Sequence, residues 1–277
     1  MSTALESRAP SKMAAARRIV ARKPDVRLRS AWRLWQRSAT IYRRTYKFNI
    51  LPNFFEPFFY LLAMGLGLGA YLTKLRGVDY IDFIAPGLAA SSAMFGASFE
   101  VTYNAFVKMN FGKVYDAVGT TPLTPEDIAL GELLWATTRA TLYGTFFVVV
   151  AAGFGVVHSW TVALAPLALA LIGMHFAVLG LIYTIVIPII DFFSYFWTLI
   201  MTPMFLFSGI FFPLDRLPEW AQTVAWFVPL HQAVNLMRAL VLTGDAADAL
   251  AAAAWLLVLT GLLFVVPLNL MRRKLVK

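Results

Sequence analysis

Apolar residues fall into six long runs, at about 50–72, 82–107, 131–156, 161–188, 192–212 and 249–270. Each is near the ~20 residues that an α-helix needs to cross a bilayer. The stretch before the first run has a different period. Leu28, Trp32, Trp35, Ala39, Tyr42 and Tyr46 recur every three or four residues, while Arg29, Arg33, Arg37, Arg43, Arg44 and Lys47 gather on the other side. That pattern predicts an amphipathic helix over 25–47, lying in the headgroup plane and turning into the first span at Pro52.

The chain after the fifth run breaks the pattern. The apolar run beginning at Tyr195 stops at Pro213, and the next stretch, still apolar, is interrupted by Pro218 and Pro229. Each proline removes a backbone donor. The segment is too broken to span a bilayer and too apolar for a soluble loop, so two re-entrant half-helices are expected between spans five and six. Backbone irregularity at membrane depth is tolerated only against protein or a water-filled cavity. This marks Ser208, Gly209, Pro213, Pro218, Trp220, Pro229 and His231 as a candidate outer gate.

The fold class is therefore an all-α integral membrane protein with six transmembrane helices. It divides into a disordered basic tail (1–24), the interfacial helix (25–47) and a transmembrane domain (48–277). Composition agrees: 60% of residues are hydrophobic, 14% are charged and the mean hydropathy is +0.69. With no cysteine, disulfides, thiolate metal sites and a cysteine nucleophile are excluded. The first long apolar run begins only near Phe48, so no signal peptide is expected.

The net charge of +9 would suit nucleic acid, but its placement argues against that partner. Thirteen of the 24 Lys/Arg lie in residues 1–47 and four in 272–277, flanking hydrophobic spans. Such a bias places both termini on the cytoplasmic side, with anionic lipid as counter-charge. Lys74, Arg76, Arg216 and Arg238 then fall outside. Gly65 and Gly69, four apart, and the small residues from Gly87 to Ala97 suit close helix contacts.

Candidate chemistry is sparse. Glu100, Asn104 and Lys108 form a polar ladder at i, i+4 spacing, with Ser92 and Gly96 before them and Phe95, Phe99, Tyr103 and Phe106 on the other face. Charges at this depth must face protein or water. Two readings are open: the ladder lines a passage or gate, or it is a buried network at a helix contact, with Arg139 as partner. Aromatic side chains crowd spans one and five, Tyr195 among them, either facing lipid or lining a route. The cytoplasmic connection from Lys108 to Glu132 is the longest. Within it Thr124-Pro125-Glu126-Asp127 reads as a capped helix start, and a short helix is expected near 111–118. That construction suits docking of a cytoplasmic partner. His158, His175 and His231 are solitary, and no metal site is assigned. A phosphate-binding G-x-x-x-x-G-K-[ST] loop is absent, since Gly112-Lys113 is followed by Val114. Transport driven by ATP would need the ATPase on another chain.

The residues Ile84-Ala-Pro-Gly87, Phe99-Glu-Val-Thr-Tyr103, Tyr115-Asp-Ala117, Thr121-Pro-Leu123, Asp127-Ile128, Gly131-Glu132, Phe207-Ser-Gly-Ile-Phe-Phe-Pro-Leu214 and Val228-Pro-Leu-His231 resemble the membrane subunit of a type-2 ABC exporter. The similarity is to lipooligosaccharide and nodulation-factor (lipo-chitooligosaccharide) export permeases and runs from about residue 45 to the end. It implies docking of an ABC ATPase at Tyr115, Asp116, Pro122, Leu123 and Glu126. Lys113, Thr124 and Asp127 are placed in the same docking region. It also implies two permease copies with two ATPase copies, with ATP and magnesium on the ATPase and no cofactor in this chain. Glu100, Asn104, Lys108, Tyr103, Arg139 and Tyr195 are the candidate path or gate. The expected function is export of an amphiphilic glycan or glycolipid across a bacterial inner membrane. Export of drugs or other hydrophobic compounds is the alternative, and a membrane-embedded glycosyl- or acyltransferase is a further one.

Overall fold

The computed structural model describes residues 27–67, 69, 71, 74, 75, 77–119 and 121–276, without the side chains of 47–54, 56, 57, 66, 116 and 119. The expected tail, 1–24, lies outside the described residues, as does the side chain of Asp116.

The chain begins with one long helix, α1 (Leu28–Leu62), extended by a π-helical turn at Ala63–Gly67. The turn expected at Pro52 is not there: the helix runs through it. Proline is tolerated in such helices because neighbouring segments and local widening re-satisfy the freed carbonyl. A two-residue hairpin follows, β1 (Lys74–Leu75) and β2 (Val78–Asp79), paired Lys74 to Asp79 and Leu75 to Val78. Gly77, with φ +85°, supplies the left-handed turn residue between them.

Helix α2 (Tyr80–Phe99) continues through two π-helical turns, Glu100–Asn104 and Val107–Phe111. The short α3 (Val114–Gly119) leads to α4 (Pro125–Gly153). A 3-10 turn at Trp160–Leu164 precedes α5 (Ala165–Val186). The next segment, α6 (Ile190–Phe207), is mixed, with a π-helical stretch at Phe196–Met201. Two short helices, α7 (Glu219–Trp226) and α8 (Pro229–Arg238), stand where the prolines of the fifth connection predict half-helices. The last helix is α9 (Ala246–Leu275).

Among the described residues four segments are long and apolar enough to cross a membrane: Pro125–Gly153, Trp160–Val186, Ile190–Phe207 and Ala246–Leu275. They match the last four expected spans. The first two expected spans are not among them. α1 is polar over its first half, and in α2 glycine, alanine and serine, with Asp82, occupy positions that large aliphatic residues hold elsewhere.

Those small residues serve packing. α4 lies at the centre, against α1, α2 and α5, while α9 covers α5 and α8, and α8 packs on α2. A Cβ on Gly131 would stand 2.6 Å from Leu34 Cδ2, so α1 approaches α4 at a distance that only glycine allows. Gly96 of α2 meets α4 in the same way: its Cβ would stand 2.7 Å from Tyr143 Cδ2 and 3.6 Å from Ala140 Cα. Without a hydrophobic drive between helices in lipid, such close backbone approach is what gives dispersion its leverage.

Candidate functional site

The polar ladder of α2 is at the centre of one charge network. Glu100 is 3% exposed and accepts from three side chains: Arg139 Nη1 at 2.7 Å, Asn104 Nδ2 at 2.8 Å and Lys108 Nζ at 3.3 Å. Lys108 also donates to Glu132 Oε2 at 2.8 Å, and Glu132 is buried as well. Two carboxylates thus face two cations between α2 and α4, and both charges are balanced locally, as burial demands. Arg139 further donates to the Tyr143 hydroxyl, and its guanidinium lies 5.0 Å from the Tyr143 ring centre and 5.3 Å from that of Tyr42.

The π-helical turns explain the geometry. Widening the helix reduces the rotation gained over four residues, which keeps Glu100, Asn104 and Lys108 in one column facing α4. Arg139 is the partner that the helix-contact reading of the sequence names. Glu132 was not anticipated in this role, although it stands seven residues before Arg139, two turns along one face of α4.

Two grooves meet at this network. One, of about 350 Å³, runs past Phe95, Phe99 and Trp197 to Glu100, Asn104 and Arg139. Its wall is an aromatic cluster in which Trp197 lies 5.4 Å from Phe99, 6.0 Å from Phe95 and 6.4 Å from Tyr103. Tyr103 is half-buried there, and Tyr195, though exposed on α6, packs on Phe192 rather than on this cluster. The other groove, of about 330 Å³, lies on the α1 side.

The connection before α4 divides into an exposed and a buried part. Lys113 and Pro122 are exposed, and Leu123 and Thr124 are half-buried. Lys113 has φ 46°, a left-handed conformation that turns the chain between α2 and α3. Tyr115 is 1% exposed, and its hydroxyl faces Glu132 outside hydrogen-bonding geometry. Burial first, and the Glu132 charge second, hold its pKa well above the usual tyrosine value.

The helix start at Thr124 is capped as expected. Thr124 Oγ1 accepts from the Asp127 amide at 3.2 Å, and Asp127 Oδ2 accepts from the Thr124 amide at 3.1 Å, a reciprocal capping box. Glu126 and Asp127 themselves turn inward. Glu126 is 4% exposed and accepts from Arg272 Nε at 2.5 Å and from its Nη2, near the end of α9. Asp127 Oδ1 accepts from the Arg27 amide at 2.7 Å, at the start of α1.

At the opposite end of the bundle the residues after α6 form a fastened turn. Ser208 and Gly209 are buried, and Gly209 has φ +84°. His231 Nδ1 donates to the Ser208 carbonyl at 2.8 Å while its Nε2 accepts from Asn235 at 3.1 Å, which fixes the Nδ1–H tautomer. Arg238 was not singled out from the sequence, yet it ties the turn to α2. Its Nη2 donates to Gly209 O at 2.7 Å and Phe83 O at 3.1 Å, and the guanidinium lies 3.9 Å from the Phe83 ring centre. Pro213 is half-buried at the end of this turn and Pro229 at the start of α8, whereas Pro218 and Trp220 are exposed. Trp220 lines an apolar groove of about 540 Å³ between α6 and α7. Arg238→Lys keeps the charge but loses the fork that reaches two carbonyls, and is expected to lower stability by about 2 kcal/mol, read as a shift in detergent-solubilised unfolding.

The other two histidines make contacts between helices or near a helix end. His175 Nδ1 donates to Thr260 Oγ1 at 2.9 Å between α5 and α9, and His158 Nε2 lies 3.6 Å from Asp82.

The sequence matches the ABC-2 type transporter family over residues 29–242. It is 36% identical to nodulation protein J of Rhizobium leguminosarum bv. viciae over 244 residues, covering 88% of this chain and 94% of that protein. Nodulation protein J of Bradyrhizobium diazoefficiens is 35% identical over 245 residues, 88% of this chain and 93% of the relative. The inner membrane transport permease YadH of Escherichia coli is 23% identical over 207 residues, 74% and 80% of the two chains.

Proposed function

The chain belongs to the ABC-2 type transporter family, a membrane permease of the bacterial inner membrane, and on that premise we propose that it exports an amphiphilic glycan or glycolipid, driven by a separate ATPase. Two copies of each subunit make the working assembly, and both termini are cytoplasmic. The six-span arrangement is completed by α1 from about residue 50 and by α2, with α7 and α8 re-entering from the outside.

The observation that carries this reading is the Glu100–Arg139–Lys108–Glu132 network at the meeting of two grooves. One face of the groove is aromatic and the network itself is polar, so a molecule with a lipid part and a hydroxyl-rich part finds a matching surface for each. The apolar groove between α6 and α7 offers a second place for an acyl chain. The resemblance to lipo-chitooligosaccharide export permeases, in keeping with relatives named nodulation protein J, favours a substrate of this class over a drug-like compound.

Docking is proposed at the accessible part of the connection before α4: the exposed Lys113 and Pro122 and the half-buried Leu123 and Thr124, with Asp116 in the short helix α3. Tyr115, Glu126 and Asp127 are buried and serve as its frame. ATP-dependent export by the chain coexpressed with candidate ATPases tests the function. Transport without nucleotide, by the chain purified alone, would overturn it. Leu123→Asp puts a charge where an apolar contact would be desolvated. It is expected to weaken copurification of the ATPase about tenfold while membrane insertion stays normal. Undiminished copurification would move the docking surface elsewhere.

A further inference from the structure

The groove on the α1 side is lined by Arg37 of α1, Asn104 and Lys108 at the end of α2, and Tyr42, Trp135 and Arg139. Among the described residues Glu100 is the one carboxylate on its wall, and that charge is covered by Arg139, Asn104 and Lys108. Arg37 is different: it is exposed and enters no ion pair among the described residues. Arg33 stands one turn before it, on the same row of the helix. The Tyr42 and Trp135 rings meet edge to face at 5.6 Å beside it. What the groove leaves open to a ligand is therefore cationic, and its flanks are rings suited to the boundary between water and acyl chains.

We propose that this groove binds a phosphate-bearing anion, the chemistry of an acidic lipid headgroup. An arginine fork matches phosphate oxygens two at a time, and a cavity of about 330 Å³ holds a headgroup rather than a whole lipid. The two grooves share Glu100, Asn104 and Arg139, so a headgroup held at Arg37 sits at the mouth of the aromatic-lined course. The proposal rests on the reading above only in placing the first half of α1 at headgroup depth.

The test is native mass spectrometry of the full chain released from nanodiscs of phosphatidylcholine doped with phosphatidylglycerol. The expected result is retained phosphatidylglycerol, reduced about tenfold in Arg37→Gln and less in Arg37→Lys, with Arg43→Gln, equal in charge but outside the groove, unchanged. A second arm adds inorganic phosphate to chain in pure phosphatidylcholine nanodiscs. Arg37-dependent phosphate binding without phosphatidylglycerol enrichment assigns the site to a free anion instead of a lipid. Equal retention and equal phosphate binding in the wild-type chain and Arg37→Gln overturn the proposal, as does an equal loss in Arg43→Gln. Both arms are read without nucleotide, so a failure of ATP-driven export leaves their outcome intact.

Discussion

Replacing Glu100 with alanine is expected to abolish export and to destabilise the chain by about 3 kcal/mol. Lys108 keeps Glu132 in that variant, but Arg139 loses the one carboxylate it touches and stays between α2 and α4 with its charge uncompensated. The cost of breaking such a pair is mainly the desolvation of the partner left behind, not the lost attraction. Removing both charges, as in Glu100→Leu with Arg139→Met, is expected to restore most of the stability for that reason. Export should not return, because the polar surface where the two grooves meet is gone. The pair of measurements, unfolding in detergent and ATP-driven transport in vesicles, separates a path from a helix contact. Recovery of both in the double variant would make the network a contact only.

The second large effect is expected at the other buried ion pair. Arg272→Ala leaves Glu126 buried without its cation, at a cost of about 3–4 kcal/mol. The charges sit favourably for both helices: Glu126 in the first turn of α4 and Arg272 in the last turn of α9, each opposite in sign to the helix end it occupies. Exchanging them, with Glu126→Arg and Arg272→Glu, rebuilds the pair but reverses both helix-end interactions. Partial recovery of unfolding temperature is the expected result. Full recovery would show that the helix ends contribute nothing measurable, and none would show that the pair depends on this one orientation.

Much of this architecture was legible in the sequence, for physical reasons that can be named. The limits of α4, α5, α6 and α9 follow from apolar runs of bilayer length, and the start of α4 follows from Thr124 and Pro125, a local signal that needs no tertiary information. The ladder of Glu100, Asn104 and Lys108 was visible because charges that deep in an apolar run are rare. The continuity of α1 through Pro52 was not visible, because proline breaks a helix only where nothing nearby re-satisfies the backbone. The π-helical turns carry no compositional mark. In the sequence Arg238 is only a charge on the outer side and Arg272 only a charge flanking a span, since their partners at Phe83, Gly209 and Glu126 lie far away in sequence and become neighbours only when the bundle closes.

Two consecutive residues of α4 hold opposite ends of the described chain: Asp127 takes the amide of Arg27, and Glu126 takes the guanidinium of Arg272. Mechanically, that turn is a hub with two levers. α1, 35 residues long, leaves it along one side of α4, and α9, 30 residues long, leaves it along α5 and α8. A push on this single turn is therefore not absorbed where it lands. It falls on two long helices at once, and α9 in turn packs on α8, whose Arg238 fastens the turn at the far end of the molecule.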